Sequence, residues 1–435
     1  MGKCFLIKNV RGREILDSRG NPTLEVDVVT EDGIIGRASA PAGRSRGKYE
    51  ATEIRDGSKR YHGLGVQKAV KMVNEIVANL LKGRDVRFQR EIDQILIEYD
   101  GTEDKSKLGG NVLTATSLAV AKAAANSLNI SLYKYIGGSN ARILPVPMFL
   151  YVCGGKLAAT DLDFQEFNAM PVGAKSFSEA MQMGCEVYHI LAEILSKKFG
   201  KYSLNVGDEG SLSPPGVSDP EVVFETILSA IESQGYGGKF VLALDAAATH
   251  LYNRESGKYK FRGKELDKNE LMEIYIELAR KFPLASIEDP FHEDDFEGFA
   301  EITRKLSDVQ IVGDDLFASN IRRLKIGIKS GAANTILLKV NQIGTLSEAL
   351  DTAEFAYRNG YSVLVSERSA QTEDVWLAEL AVAINSGQIK NGAPVRSERV
   401  AQFNQLLRIE EELGSVAKYA GESYRNPISL TFSTF

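Results

Sequence analysis

VLALD (241–245), ASIED (285–289), QIVGDD (310–315), TILLK (335–339) and SVLVSER (362–368) are five short apolar runs that each end in charge. A longer segment with helical spacing of its apolar residues follows each of the first four. The charges Glu288, Asp314, Lys339 and Glu367 recur 25 to 28 residues apart. That interval fits one strand, one crossover helix and two short loops. Apolar strands with charge at their carboxyl ends predict a parallel β/α barrel with its site on the C-terminal face. A single such charge reads as the cap of a buried strand; five in register point to a shared site.

Working outward, the 435-residue chain is long enough for two domains and a large core. Its 52 basic and 58 acidic residues leave a net charge of −6, which argues against nucleic acid as a partner. Cys4, Cys153 and Cys185 lie far apart without zinc spacing, as in a reducing compartment. No apolar run approaches a membrane span of about 20 residues, and the N-terminus has neither an apolar signal core nor a myristoylation pattern. The expectation is a cytoplasmic protein without membrane contact.

Residues 4–39 read as β-structure, with Leu24, Val26 and Val28 alternating along one face and a turn at Glu31-Asp32-Gly33. Pro41–Glu50 is glycine-containing and basic and reads as a mobile loop. Val66, Ala69, Val70, Val73, Ile76 and Val77 form one helical face, and Leu113–Leu128 is an Ala-rich, buried helix. The fold class is therefore α/β: an N-terminal α+β domain over 1–138, then a TIM-like β/α barrel over 139–435. In the barrel, VPMFLYV and DLDFQEFNAMPVGA read as strands and Phe177–Phe199 as a helix. A short strand Ser203–Val206 then sets Glu209 at another strand end.

Asp245, Glu288 and Asp314 come from three strand ends with no cation in the local sequence. Three converging carboxylates repel unless a cation joins them, and hard oxygen ligands select Mg²⁺ over zinc. Separate salt bridges are the plainer alternative. Lys339 shares the face; beside a divalent cation its pKa falls toward that of a general base, or else it is the counter-ion of Asp314 or Asp315. Glu166 and Glu209 are candidate general acids, since clustered carboxylates share protons. Arg368-Ser369 offers a donor fork and a hydroxyl for a phosphate, and Lys390 is a second possible anion contact. Assembled, these groups suit removal of a proton next to a carboxylate, with an acid assisting a leaving hydroxide.

The strings around them resemble the enolase family over nearly the whole chain: REILDSRGNPT (13–23), LDFQEF (162–167), NVGDEG (205–210), SIEDPF (286–291), QIVGDDLF (310–317), LLKVNQIGTLSEA (337–349) and NQLLRIEEELG (404–414). The resemblance implies an enolase-type barrel catalysing the dehydration of 2-phosphoglycerate in glycolysis. It implies Mg²⁺ on Asp245, Glu288 and Asp314, with Lys339 as base and Glu209 with Glu166 as acid. Gln165, Arg368, Ser369 and Lys390 would hold the substrate, and a second Mg²⁺ would lie near Ser45. A homodimer or higher homo-oligomer is implied as well.

This chain departs from the family pattern at AGRSRG (42–47), at GGKLAAT (154–160), where Leu157 replaces a histidine, and at VSERSAQTED (365–374), where Glu367 replaces another. A glutamate beside a phosphate pocket sets like charges together, which Arg44, Arg46 and Lys156 are placed to offset. Enolase is the first reading. A paralogue acting on a related phospho- or phosphono-carboxylate and a non-catalytic scaffold on the same fold are the alternatives.

Overall fold

The structure is a computed structural model that describes residues 5–44 and 46–426. Strands β1 (Ile7–Leu16), β2 (Pro22–Thr30) and β3 (Ile35–Ser39) form an antiparallel meander in chain order. Leu24, Val26 and Val28 are fully buried on one face, as their alternation predicts. The Ala-rich helix α1 (Gly110–Ser127) packs on β2 and β3. Its small side chains bring the two backbones together: a Cβ on Gly36 would lie 2.1 Å from the Ala119 carbonyl oxygen. Any side chain at position 36 would push helix and sheet apart.

The second part is a closed barrel of β4 (Val146–Cys153), β5 (Glu166–Met170), β6 (Val241–Asp245), β7 (Leu284–Glu288), β8 (Gln310–Gly313), β9 (Thr335–Leu338), β10 (Ser362–Ser366) and β11 (Gln388–Lys390). Each strand lies beside its sequence neighbour, and β11 closes on β4. Helix α2 (Phe177–Phe199) has the predicted bounds, and the Ser176 hydroxyl caps it by accepting from the Glu179 amide. The segments after β7, β8, β9 and β10 contain helices Phe296–Lys305, Ile321–Ser330, Leu346–Arg358 and Trp376–Ala383. The last long helix, α3 (Ser397–Leu413), buries Phe403, Leu406 and Ile409 along one stripe.

Two expectations need correction. The barrel is not wholly parallel, because β5 runs antiparallel to both β4 and β6. Residues 154–165 contain no helix to carry the chain back across the barrel, so the next strand returns in the opposite sense. Ser203–Val206 is not a strand either: Lys201–Leu204 is a 3₁₀ turn, and Val206 forms only an isolated bridge to Leu212. The barrel strands already pair with one another all round, which leaves a strand at 203–206 no edge to join.

On the far face of β2, the buried Asp27 carboxylate accepts from Arg37 Nε (2.7 Å) and from Arg13. Burial works to raise this carboxyl, but the Arg37 and Arg13 hydrogen bonds prevail and hold it at about 2. The native state therefore takes up this proton less readily than the unfolded chain. The stabilisation is complete above about pH 4 and is lost as pH falls toward 2. Asp27→Asn is expected to flatten the acid limb of stability over that interval, read by denaturant melts at stepped pH. An unchanged acid limb would remove Asp27 from this role.

Candidate active site

Strand register builds the acidic side of the site. Glu166 of β5 pairs with Asp245 of β6, which pairs with Glu288 of β7, so three carboxylates stand side by side at one end of the barrel. Glu166 is the first residue of its strand, and the reversal of β5 is what brings that start to the face where the parallel strands end. Phe167, Leu244 and Ile287 belong to the core outside the barrel, so their strand neighbours face inward. The same parity turns Lys390 of β11 inward beside outward Ile389. Its ammonium lies 2.9 Å from Asp245 Oδ2, 2.8 Å from Glu288 Oε2 and 3.2 Å from Glu166 Oε2. The carboxylates thus have a cation after all, brought by the barrel from a distant part of the sequence.

All four groups are buried. Burial pushes the Glu166 carboxyl up to about 8; Lys390 pulls against this, while Asp245 and Glu209 add to it. Glu288 is likewise raised well above its ordinary value, by burial first and by Asp245 next. Burial alone would lower Lys390, but Asp245, Glu166 and Glu288 hold it well above its usual range. Gln165 donates to Asp245 Oδ2 at 3.3 Å and keeps a buried, unpartnered Oε1.

Lys339, just beyond β9, places its Nζ 2.6 Å from Asp314 Oδ2. Gln342 donates to the other Asp314 oxygen at 2.7 Å. Burial works to lower Lys339, and the Asp314 carboxylate outweighs it, so the ammonium is raised. In this arrangement Lys339 is the counter-ion of Asp314. Asp289 accepts from the amides of Asp314 (2.9 Å) and Asp315 (2.8 Å). Asp289, Asp314 and Asp315 hold carboxylate oxygens within 4.8 Å of one another, a group able to take a metal ion, and it shares only Asp314 with the triad read from the sequence. Ala247, Asp289, Ala318 and Ser319, beyond the ends of β6, β7 and β8, all have left-handed backbones (φ 41° to 52°). Such strain costs of order 1 kcal/mol per residue and gathers where a site is being shaped.

The cavity at this face is lined by Gln165, Glu166, Glu209, Asp245, Asp314, Lys339, Arg368, Ser369 and Lys390, with Gly43, Leu157, Ser366 and Glu367. Glu288 lies behind Lys390, and Ser45 falls outside the described residues. Glu209 reaches the cavity from a turn closed by Gly207 donating to the Ser211 carbonyl (2.9 Å), not from a strand end. About 30 Å³ stays free, room for roughly one or two waters. The Arg368 fork is taken by Glu50, with Nη1 2.7 Å from Oε2 and Nη2 3.1 Å from Oε1. Residues 41–44 and 46–50 are docked here: Ala42 and Ala370 exchange two backbone hydrogen bonds of 3.0 Å, and the Arg44 amide donates to Ser369 Oγ at 2.7 Å. A Cβ on Gly43 would fall 1.8 Å from Arg368 Nη2.

The offset expected for Glu367 comes from elsewhere. Arg44 is paired with Asp208 (2.8 Å), Arg46 donates to the Ala51 carbonyl (3.0 Å), and Lys156 lines an adjoining groove. The cation at Glu367 is Arg399, in direct ion-pair contact. Glu50 and Arg399 were not singled out in the sequence. Glu50 gave no signal, since its partner lies 318 residues away. Arg399 gave one: it stands four residues before Phe403 and seven before Leu406, on the buried stripe of α3. Leu157 is buried beside Leu150 and Cys153 on the cavity wall.

A family model for the enolase N-terminal domain matches residues 7–136, and one for the enolase C-terminal TIM barrel domain matches 141–428. The chain belongs to the enolase family. It is 57% identical over 430 residues to an enolase of Pyrococcus furiosus, covering 98% of this chain and 99% of the relative. An enolase of Thermococcus gammatolerans is 56% identical over 432 residues and one of Methanocaldococcus jannaschii 54% over 427 residues; both alignments cover 98% of this chain and 100% of the relative. Among the described residues no helix is long and apolar enough to cross a membrane.

If Lys390 balances the acidic strand ends of this enolase-family barrel, Lys390→Met leaves three buried carboxylates without it. The expected result is a loss of about 3 kcal/mol in the metal-free protein at neutral pH. The loss should grow as pH rises above about 8, where Glu166 gives up its proton. Denaturant melts at pH 7 and at about pH 9, on either side of the raised Glu166 carboxyl, check both; equal losses at the two pH values would mean the lysine contributes packing rather than charge.

Proposed function

We propose that this protein is an enolase, a hydro-lyase that interconverts 2-phospho-D-glycerate and phosphoenolpyruvate in glycolysis and gluconeogenesis. Full-length identity of 54–57% to the three curated enolases carries the reading. The cavity supports it, since acid, base and anion-binding candidates line one space. A changed substrate or a non-catalytic scaffold is not favoured by that identity, nor by a set of charged groups that is whole.

Asp245, Glu288 and Asp314 would hold Mg²⁺. The donors are all carboxylate oxygens, and Asp245 and Glu288 already share one positive centre in the Lys390 ammonium, so the set fits a hard dication. When bound, Mg²⁺ supplies the positive charge that stabilises a substrate carboxylate gaining a second negative charge. Lys339 takes the α-proton on Nζ once Asp314 no longer holds that ammonium, burial being the force that then lowers it. The electron pair of the C–H bond becomes the new C=C bond, and the C–O bond breaks on the neighbouring carbon. Glu209 with Glu166, whose proton is kept by burial, protonates the departing hydroxide to water. Gln165, Ser369 and Lys390 orient the substrate. Arg368 takes the phosphate with the fork that Glu50 occupies here, a bidentate geometry suited to either anion. Resemblance supports a cytoplasmic enzyme that works as a homodimer or larger homo-oligomer, with residues 1–138 and 139–435 as its two domains.

The purified protein should dehydrate 2-phosphoglycerate only with Mg²⁺ present. Lys339→Ala should slow α-proton exchange into solvent by about 10²–10⁴-fold and still bind Mg²⁺ by calorimetry. Exchange at the wild-type rate would show that another group is the base. Turnover absent in wild type and recovered by Leu157→His with Glu367→His would instead mark a changed substrate.

A further inference from the structure

Glu367 lines the cavity next to Arg368, assigned above to the phosphate, and Ser369, assigned to orienting the substrate. Left alone it would repel that phosphate. Arg399 answers it from behind. This arginine lies in the first turn of α3, is fully buried, and is in ion-pair contact with Glu367. The same guanidinium donates from Nη1 to the Arg368 carbonyl (2.9 Å) and from Nη2 to the Ser369 carbonyl (2.8 Å). One planar fork therefore touches three consecutive residues of the segment after β10.

The surroundings are built to admit this contact. Asn391 donates to the Arg399 carbonyl at 2.9 Å, tying the start of α3 to the end of β11. Gly392, with φ +77°, passes where a Cβ would come within 3.0 Å of Glu367 Oε1, 3.1 Å of the Glu209 carbonyl oxygen and 3.3 Å of Arg399 Cδ. The Ala393 amide donates to that Glu209 carbonyl at 3.1 Å, so the turn carrying Glu209 rests on the same stretch. Burial draws the guanidinium down to about 10 even against the pull of Glu209, Glu166 and Asp208. A cation so placed needs an adjacent carboxylate, as Glu367 needs it.

We propose that Arg399 is a positioning residue of the anion-binding side that acts by its charge: it neutralises Glu367 from behind, so that a carboxylate lines the cavity without opposing a phosphate-bearing substrate. The identity of that substrate rests on the enolase reading; the charge argument needs only a bound phosphate, so inorganic phosphate is a probe independent of turnover.

Three variants test it, each with Mg²⁺ present, by steady-state kinetics on 2-phosphoglycerate and by calorimetry with inorganic phosphate. Arg399→Met should raise KM and the phosphate Kd by at least about 30-fold, with kcat falling less. Adding Glu367→Gln to it should bring both constants back to within about 5-fold of wild type, since no unpaired charge then remains. If Arg399→Met alone does not fold, the double variant is compared with wild type directly. A double variant still weakened about 30-fold or more would overturn the proposal, because backbone support alone would then account for Arg399. Glu367→Gln alone should tighten inorganic phosphate several-fold, because the charge of Arg399 is then unopposed behind the cavity wall; unchanged affinity would equally overturn it.

Discussion

Lys390 and the three carboxylates it touches constrain everything else at the top of the barrel. Each ion is costly to bury, and the cluster holds together only because one ammonium reaches Asp245, Glu288 and Glu166 at once. That requires β5, β6, β7 and β11 to keep their register and the inward parity of their last or first residues. A slip of one residue on any of them would turn its charge out into the hydrophobic layer between barrel and helices. Further in, Gln310 donates to Ser286 Oγ and exchanges hydrogen bonds with Gln388, all at 3.0–3.1 Å. This polar contact ties β7, β8 and β11 across the interior and reinforces the same register.

The side of the cavity around Arg368 and Glu367 follows a different logic. Its charges are matched in buried pairs drawn from remote segments: Arg368 with Glu50, Glu367 with Arg399. The first pair joins the N-terminal part of the chain to the barrel, and the Ala42–Ala370 bridge lies beside it. The N-terminal domain is therefore more than a neighbour of the barrel, for it supplies a wall of the cavity through Gly43 and a counter-ion through Glu50.

Much of this was readable in the sequence, because strands that carry charge at a regular interval announce both a barrel and the face that works. Glu288, Asp314, Lys339 and Glu367 could be placed on one face by spacing alone. The reversal of β5 could not, since nothing in DLDFQEFNAM shows which way a strand runs; the missing helix in 154–165 was the available clue. Glu209 was placed on a strand because its approach is apolar enough to suggest one, while the closed barrel decides that no edge is free for it. The pairings of Glu50 and Arg399 depend on which segments the fold brings together, and local pattern carries no such information. Arg399 was the one long-range partner with a trace, a charged residue on an otherwise buried helical stripe.

The small free volume of the cavity has an implication for what can enter. Nearly all the space between its charged groups is taken up by their contacts with each other, so an incoming molecule finds no vacant pocket to occupy. On the enolase reading proposed above, it would exchange partners with ion pairs already formed, an anion taking the place of Glu50 on the Arg368 fork. An uncharged solute of the same size has nothing to offer in that exchange.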